Sequence, residues 1–467
     1  MTKSHKIFIY LSIVFGMILV FLVPPFQSPD EDSHFKKAYV MSKGQIFSTV
    51  EDNVNGFDLP TNMLITINQY NEMMGNRDAK VNYSDIVISD RLGDDFGATE
   101  HVNFSTVDTS PFAHLIQAIG IIIGKIFWNV FRDGNGSTVY LLYFARLANL
   151  IFYIAVVAYA IKITPVLKKT MCALALMPMS LALAASCSYD AILISFTCLS
   201  FSYIMNIILK ENEWELNRKN MLIMILLAFV MFAIKPYCAL IYLMLFFTPK
   251  EKFKDNKDYI KKIAVFAFSI IGLYILFRIP GIINASKLAT NASSGNSLSP
   301  LSDPVAFIKL VFANIFYQKD YYLATTVGVL GLIDTYIPSA VTFLYTVFVA
   351  VMAIVEMSCS EYKINWMIKV SVILIALISL IGISYVMVGW SVNIDSNYTF
   401  ESNMISGIQG RYFIPLLVPI GLIFSNMRLK KYRVINSFDI LLENYQMAIY
   451  VAILMITVFT VLLRFWI

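Results

Sequence analysis

FAHLIQAIGIIIGKIFWNVF, residues 112–131, is the stretch on which the topology turns. It is long and apolar enough to cross the ~30 Å hydrocarbon core of a bilayer. Yet His114, Gln117, Lys125 and Trp128 recur along it at helical spacing and make a polar stripe. Such a stripe suits a helix lying in the membrane interface better than one surrounded by lipid. The choice matters because adding or removing one span inverts the sidedness of every later loop.

Around that stretch the composition is that of a membrane protein. Of 467 residues, 58% are hydrophobic and 14% charged, too few polar groups to cover a soluble surface of this size. Apolar runs of about spanning length recur at 7–23, 140–161, 171–186, 190–209, 221–247, 263–278, 337–355, 367–388, 412–427 and 447–466. Lys3 and Lys6 precede the first run, and no small-x-small cleavage site follows it, so it reads as an uncleaved first helix. The net charge of +5 lies in Lys and Arg of short loops, which is a topology signal and not a nucleic-acid patch. Cys172, Cys187, Cys198, Cys238 and Cys359 lack metal-ligand spacing and read as small core residues.

Basic loops settle the sidedness. With the N-terminus inside and 112–131 interfacial, Lys162, Lys168 and Lys169 fall inside, as do Lys210, Arg218 and Lys219. The 221–247 run carries Lys235-Pro236 in its middle, and proline there breaks a helix. Read as two short helices meeting at an outer tip, it puts the lysines of 250–262 inside, followed by Lys363, Lys369, Arg428, Lys430, Lys431 and Arg433. The expected fold is a single all-α domain over 1–467, a polytopic transmembrane helical bundle of about 11 spans with its C-terminus outside. A long first outer loop, 24–139, should bear short juxtamembrane helices, and a second outer region covers 279–336. The sequons at Asn82, Asn103, Asn135, Asn291 and Asn397 all fall outside, and 291–300 reads as a flexible loop.

Five motifs lie on that outer face. Pro29-Asp30-Glu31-Asp32-Ser33-His34-Phe35 follows the first span; crowded carboxylates beside an imidazole suit a general base, and equally a solvated acidic turn. Ser186-Cys187-Ser188-Tyr189-Asp190 sits where two spans join, with Asp190 either functional at membrane depth or a helix cap. In Lys235-Pro236-Tyr237 the lysine needs an anionic partner or must snorkel to the surface. Asp334, in the stretch Gly328–Pro338, is a capping or site candidate. Gln409-Gly410-Arg411-Tyr412-Phe413 offers an arginine able to grip phosphate bidentately, or to anchor at the interface.

The order of these motifs resembles a bacterial membrane family named "domain of unknown function 2142". The resemblance rests on Pro-Asp-Glu-x-x-His-Phe at 29–35, Ser-x-Ser-x-Asp-Ala at 186–191, Lys-Pro-Tyr at 235–237, Gly-x-x-Asp-Thr-x-x-Pro at 331–338 and Gln-Gly-Arg-Tyr-Phe-x-Pro at 409–415. It departs at Leu332-Ile333, where an aromatic pattern is expected. That family in turn looks like the GT-C glycosyltransferases, which keep an acidic pair early in the first outer loop, where Asp30 and Glu31 stand. The resemblance implies a bacterial cytoplasmic-membrane enzyme that moves a sugar from a polyprenyl-phosphate-linked donor to an outer glycan or glycopolymer acceptor. Asp30 or Glu31 would be the base. His34, Asp190, Lys235, Tyr237, Asp334, Gln409 and Arg411 would bind substrate, with a divalent cation as an option at Asp30 and Asp190. A flippase for a lipid-linked saccharide is the rival class, and a glycan polymerase or ligase a nearer one. No internal repeat of the kind transporters show is visible.

Overall fold

The computed structural model describes residues 3–86, 98–131, 136–210, 216–289, 300–395, 397–401 and 404–467, with 277–289 as backbone only. The stretch 291–299 and the sequons at Asn135 and Asn291 lie outside the described side chains.

The chain is a helical membrane bundle. Seven of its described helices are long and apolar enough to cross a bilayer: Lys3–Leu22, Thr138–Ile163, Asp190–Leu209, Asn256–Leu276, Ser339–Cys359, Trp366–Ile394 and Arg433–Phe465. The other apolar runs fold into shorter pieces, each broken where the sequence cannot continue a helix. The run 171–186 divides into Lys168–Ala175 and Pro178–Ala184, with Pro178 opening the second. The run 221–247 divides at Lys235, giving an α-helix over Arg218–Ile234 and a 3-10 segment over Pro236–Phe247. Pro415 and Pro419 confine the 412–427 run to short α and 3-10 turns within Gly410–Phe424.

Two contacts orient the bundle. Lys3 Nζ donates to the carbonyl of Glu443 at 2.9 Å, and Trp466 Nε1 donates to the carbonyl of Leu22 at 2.7 Å. The first and last helices therefore run parallel, with Leu22 and Trp466 at the same end of the bundle.

The segment 24–139 is folded on the face where Leu22 ends. It holds the helices Glu31–Ser42, Thr61–Asn71 and Leu115–Phe131. It also forms an antiparallel sheet that helix-only patterning does not anticipate: β1 (Thr49–Glu51), β2 (Val54–Pro60) and β3 (Thr99–Val102), in the order β1-β2-β3. These strands are too short to announce themselves by alternation. They form because Phe57 and Leu59 bury into the loop's own core, which includes Phe35, Met63 and Phe104. Gly56 is required there, since a Cβ would collide with the Val102 backbone.

Helix Leu115–Phe131 docks lengthwise along the first half of Thr138–Ile163. Trp128 packs edge-on against Tyr140 at one end, and Gln117 bonds Asn149 at the other. Its polar stripe faces protein, because Gln117, Lys125 and His114 all find polar partners there. Its outward face is Ile119, Ile122, Ile123, Ile126 and Phe127. Gly120 and Gly124 permit the approach: a Cβ on Gly120 would lie 2.5 Å from the Phe144 carbonyl oxygen. Gly120→Leu should therefore lower stability by about 1–3 kcal/mol through overpacking, read as a drop in melting temperature in detergent.

Candidate functional site

All five motifs lie at the Leu22 end of the bundle, and four of them converge there in one cluster. The chain turns after the first helix through Pro24-Pro25, and Asp30 takes a left-handed conformation, φ +58°, at the start of Glu31–Ser42. An aspartate at this position ordinarily caps the helix with its side chain. Asp30 does not; its carbonyl accepts the His34 N–H at 3.0 Å, and its carboxylate is left free for tertiary contact. Aspartate tolerates this left-handed geometry better than most residues do.

That carboxylate pairs with Arg411, while 52% of the Asp30 side-chain surface stays exposed. The Arg411 side chain is 1% exposed and also reaches Asp190 at 3.4 Å and the Pro29 carbonyl at 3.4 Å. Asp190 in turn accepts from Lys235 at 3.0 Å. The Lys235 ammonium lies 4.3 Å from the ring centre of Tyr412 and 4.9 Å from that of Tyr189. The result is a chain of alternating charge, Asp30–Arg411–Asp190–Lys235, walled by aromatic rings.

Local structure places each member. The Asp190 N–H donates to Ser188 Oγ, so Ser188 serves the helix start and frees the Asp190 carboxylate for the two cations. Lys235 occupies the break before Pro236. Arg411 sits in a 3-10 turn over Gly410–Phe413, pressed against helix Pro304–Val327: the Gly410 N–H donates to Thr325 Oγ1 at 2.8 Å, and any Cβ there would overlap the Tyr322 carbonyl. Tyr237 donates through its hydroxyl to the Tyr412 carbonyl at 3.2 Å. Gln409 precedes the turn, and its buried Oε1 and the buried Arg411 Nε have no hydrogen-bond partner among the described residues.

Neighbouring charge sets protonation. Desolvation disfavours the Asp30 anion, yet Arg411 foremost, then His34 and Lys235, hold its carboxyl below the usual aspartate range. Burial works against the Arg411 cation, and Asp30 and Asp190 more than restore it. His34 is pushed down to about 4 by burial, against the pull of Asp30 and Asp190. Its Nδ1 lies 3.0 Å from His114 Nε2, and Tyr189 packs edge-on to its ring at 4.5 Å.

Glu31, one residue along from Asp30, is sealed. It and Arg146 are both 0% exposed, joined at 2.8 and 2.6 Å. Glu31 Oε1 also accepts the Cys187 N–H at 2.8 Å, and Arg146 donates to the carbonyls of Val20, Val23 and Pro24. Asn149, one turn along from Arg146, donates to the carbonyls of Ser186 and Ser188, and Gln117 also reaches Ser188. Arg146 and Asn149 carried a sequence signal, two polar residues one turn apart inside an apolar run, and they are absent from the motif set.

Asp334 is placed elsewhere. It pairs with Arg464 at 2.9 Å and accepts from the Gly75 N–H at 3.3 Å, while Arg464 donates to the carbonyls of Met73 and Ala79. It ties the last helix to the first loop and does not cap helix Ser339–Cys359, which starts at Pro338. Among the described residues, a triad with metal-ligand spacing is Glu51, Asp58 and His101, on the β1-β2-β3 sheet. At Asp30 and Asp190, cationic side chains already occupy the carboxylates.

Fold and site together define a multi-pass membrane protein with a desolvated charge cluster at one end of its bundle. The chain belongs to the family described as predicted membrane protein (DUF2142), whose match covers residues 13–420. No curated protein and no solved structure matches it.

Glu31→Gln removes one partner of a buried pair and strands the Arg146 charge, so it should cost about 3–5 kcal/mol. The double variant Glu31→Met/Arg146→Met should recover much of that loss, measured as thermal unfolding in detergent.

Proposed function

We propose that this protein transfers a sugar from a polyprenyl-phosphate-linked donor to an extracytoplasmic glycan or glycopolymer acceptor, with Asp30 as general base. The observation that carries the reading is the contrast between the two adjacent acids: Asp30 is half exposed beside a paired cation, whereas Glu31 has both oxygens committed to Arg146.

In the reaction, the Asp30 carboxylate takes the proton from an acceptor hydroxyl as its oxygen attacks the anomeric carbon. The bond from that carbon to the donor phosphate oxygen breaks, and the lipid phosphate leaves with the electron pair. A single displacement inverts the anomeric configuration. Arg411 and Lys235 receive the phosphate charge in a desolvated setting, where such contacts are strong. Arg411 Nε and Gln409 Oε1, which have no hydrogen-bond partner among the described residues, are further polar atoms beside the cluster. Tyr412 and Tyr237 supply ring faces for a sugar, and Asp190 keeps Lys235 and Arg411 in register. The positive-inside pattern of the basic short loops supports an outward placement of the site.

The test uses membranes carrying Asp30→Asn and a labelled polyprenyl-phosphate sugar. Transfer should fall about 10²–10⁴-fold with expression and melting temperature unchanged. Undiminished transfer removes Asp30 as the base, and donor accumulating on the inner leaflet of a deletion strain points to translocation instead. Because Arg411 holds the Asp30 carboxyl down, the base is ionised above its lowered pKa. The acid limb of kcat/KM should therefore lie below the ordinary aspartate value of about 3.9.

A further inference from the structure

His114 takes no part in the charge chain, yet its ring nitrogen meets that of His34, which those charges surround. His34 and His114 are 2% and 0% exposed and come from different elements, the helix after Asp30 and the turn before Leu115. Their facing nitrogens, His34 Nδ1 and His114 Nε2, are 3.0 Å apart, so one proton lies between them. Tyr189 packs edge-on against both rings, at 4.5 and 5.7 Å, and restrains them from turning.

Two neutral arrangements fit that contact. In one, His34 Nδ1–H donates, His114 Nε2 accepts, and His114 carries its own proton on Nδ1. In the other, His114 Nε2–H donates, His34 Nδ1 accepts, and His34 carries its proton on Nε2. They differ in what is left at His114 Nδ1, which is buried and has no hydrogen-bond partner among the described residues. The first arrangement strands an N–H donor there; the second strands a lone pair. A sealed, unsatisfied N–H is the rarer state in folded proteins. The second arrangement is therefore favoured. His34 Nε2 makes no hydrogen bond to another described residue, and the charged groups around His34 are Asp30, Asp190, Arg411 and Lys235.

We infer that His114 is a positioning residue that locks His34 in its Nε2–H form, so that His34 is a neutral hydrogen-bond donor to a phosphate oxygen bound beside Arg411 and Lys235. This rests on the phosphate-donor reading above. It separates His34 from Asp30 in role: one donates to the leaving group, the other accepts from the acceptor. A neutral donor adds a directed contact to phosphate without adding a third buried cation to the cluster.

The chain has four histidines, His5, His34, His101 and His114, few enough for site-by-site assignment of 15N-histidine-labelled protein in nanodiscs. At neutral pH both His34 and His114 should show the Nε2–H tautomer. Adding polyprenyl monophosphate should shift the His34 Nε2 resonance and leave His114 Nδ1 in place. His114→Gln, whose amide N–H can replace the Nε2–H, should keep phosphate affinity within about twofold, whereas His114→Phe should weaken it about tenfold. Nδ1–H tautomers on the two rings in the unmodified protein would overturn the assignment, whatever the variants do. Unmoved His34 resonances on saturation with the lipid phosphate would overturn the donor role. If the tautomers and the phosphate shift stand while the unmodified protein transfers no sugar from the labelled donor, the glycosyl-transfer reading fails and the histidine assignment survives.

Discussion

The Glu31–Arg146 pair is the contact on which the rest of the site hangs. It is fully buried, and it joins four things that the chain brings from far apart: the end of the first helix, the start of Glu31–Ser42, the span Thr138–Ile163 and the Ser186–Asp190 turn. A buried ion pair seldom adds stability over an apolar replacement of the same shape. Its strength lies in what it forbids. With carbonyls of the first helix and a backbone N–H of the turn also bonded to it, no other register leaves both charges satisfied.

That constraint explains why two adjacent acids behave differently. With Glu31 pinned inward at the first turn of its helix, Asp30 is forced onto the other side of the chain, in a left-handed conformation that points its carboxylate at Arg411. The same pinning carries the Cys187 backbone, and with it Ser188 and Asp190, to within reach of Lys235 and Arg411. The segment 24–139 is thus part of the helical bundle, and the Asp334–Arg464 pair fastens it a second time to the last helix.

Much of the site could be read in advance. Asp30, His34, Asp190, Lys235 and Arg411 were legible because ionisable residues next to apolar runs are costly and therefore conspicuous. The break at Lys235-Pro236 was legible because proline ends a helix on local grounds. What escaped was the inner support: Arg146 and Asn149, inside a run read as hydrophobic, and the protein partners of Gln117 and His114, whose stripe read as interfacial. Asp334 shows the opposite limit. Its motif is as conspicuous as the others, and its partners turn out to be Arg464 and the Gly75 backbone.

By itself, the sequence determined that the chain lives in a membrane, that a helix breaks at Lys235-Pro236, and that the ionisable residues beside its apolar runs need partners, since these depend on local composition and on the cost of charge in hydrocarbon. Tertiary structure alone decided the partners. It turned the stripe of 112–131 toward protein, gave Glu31 to Arg146 and Asp30 to Arg411, and sent Asp334 to the last helix. Pairing is decided there because a carboxylate's partner is whichever cation the packing of distant helices brings within about 3 Å, and neighbours along the chain carry no record of that distance.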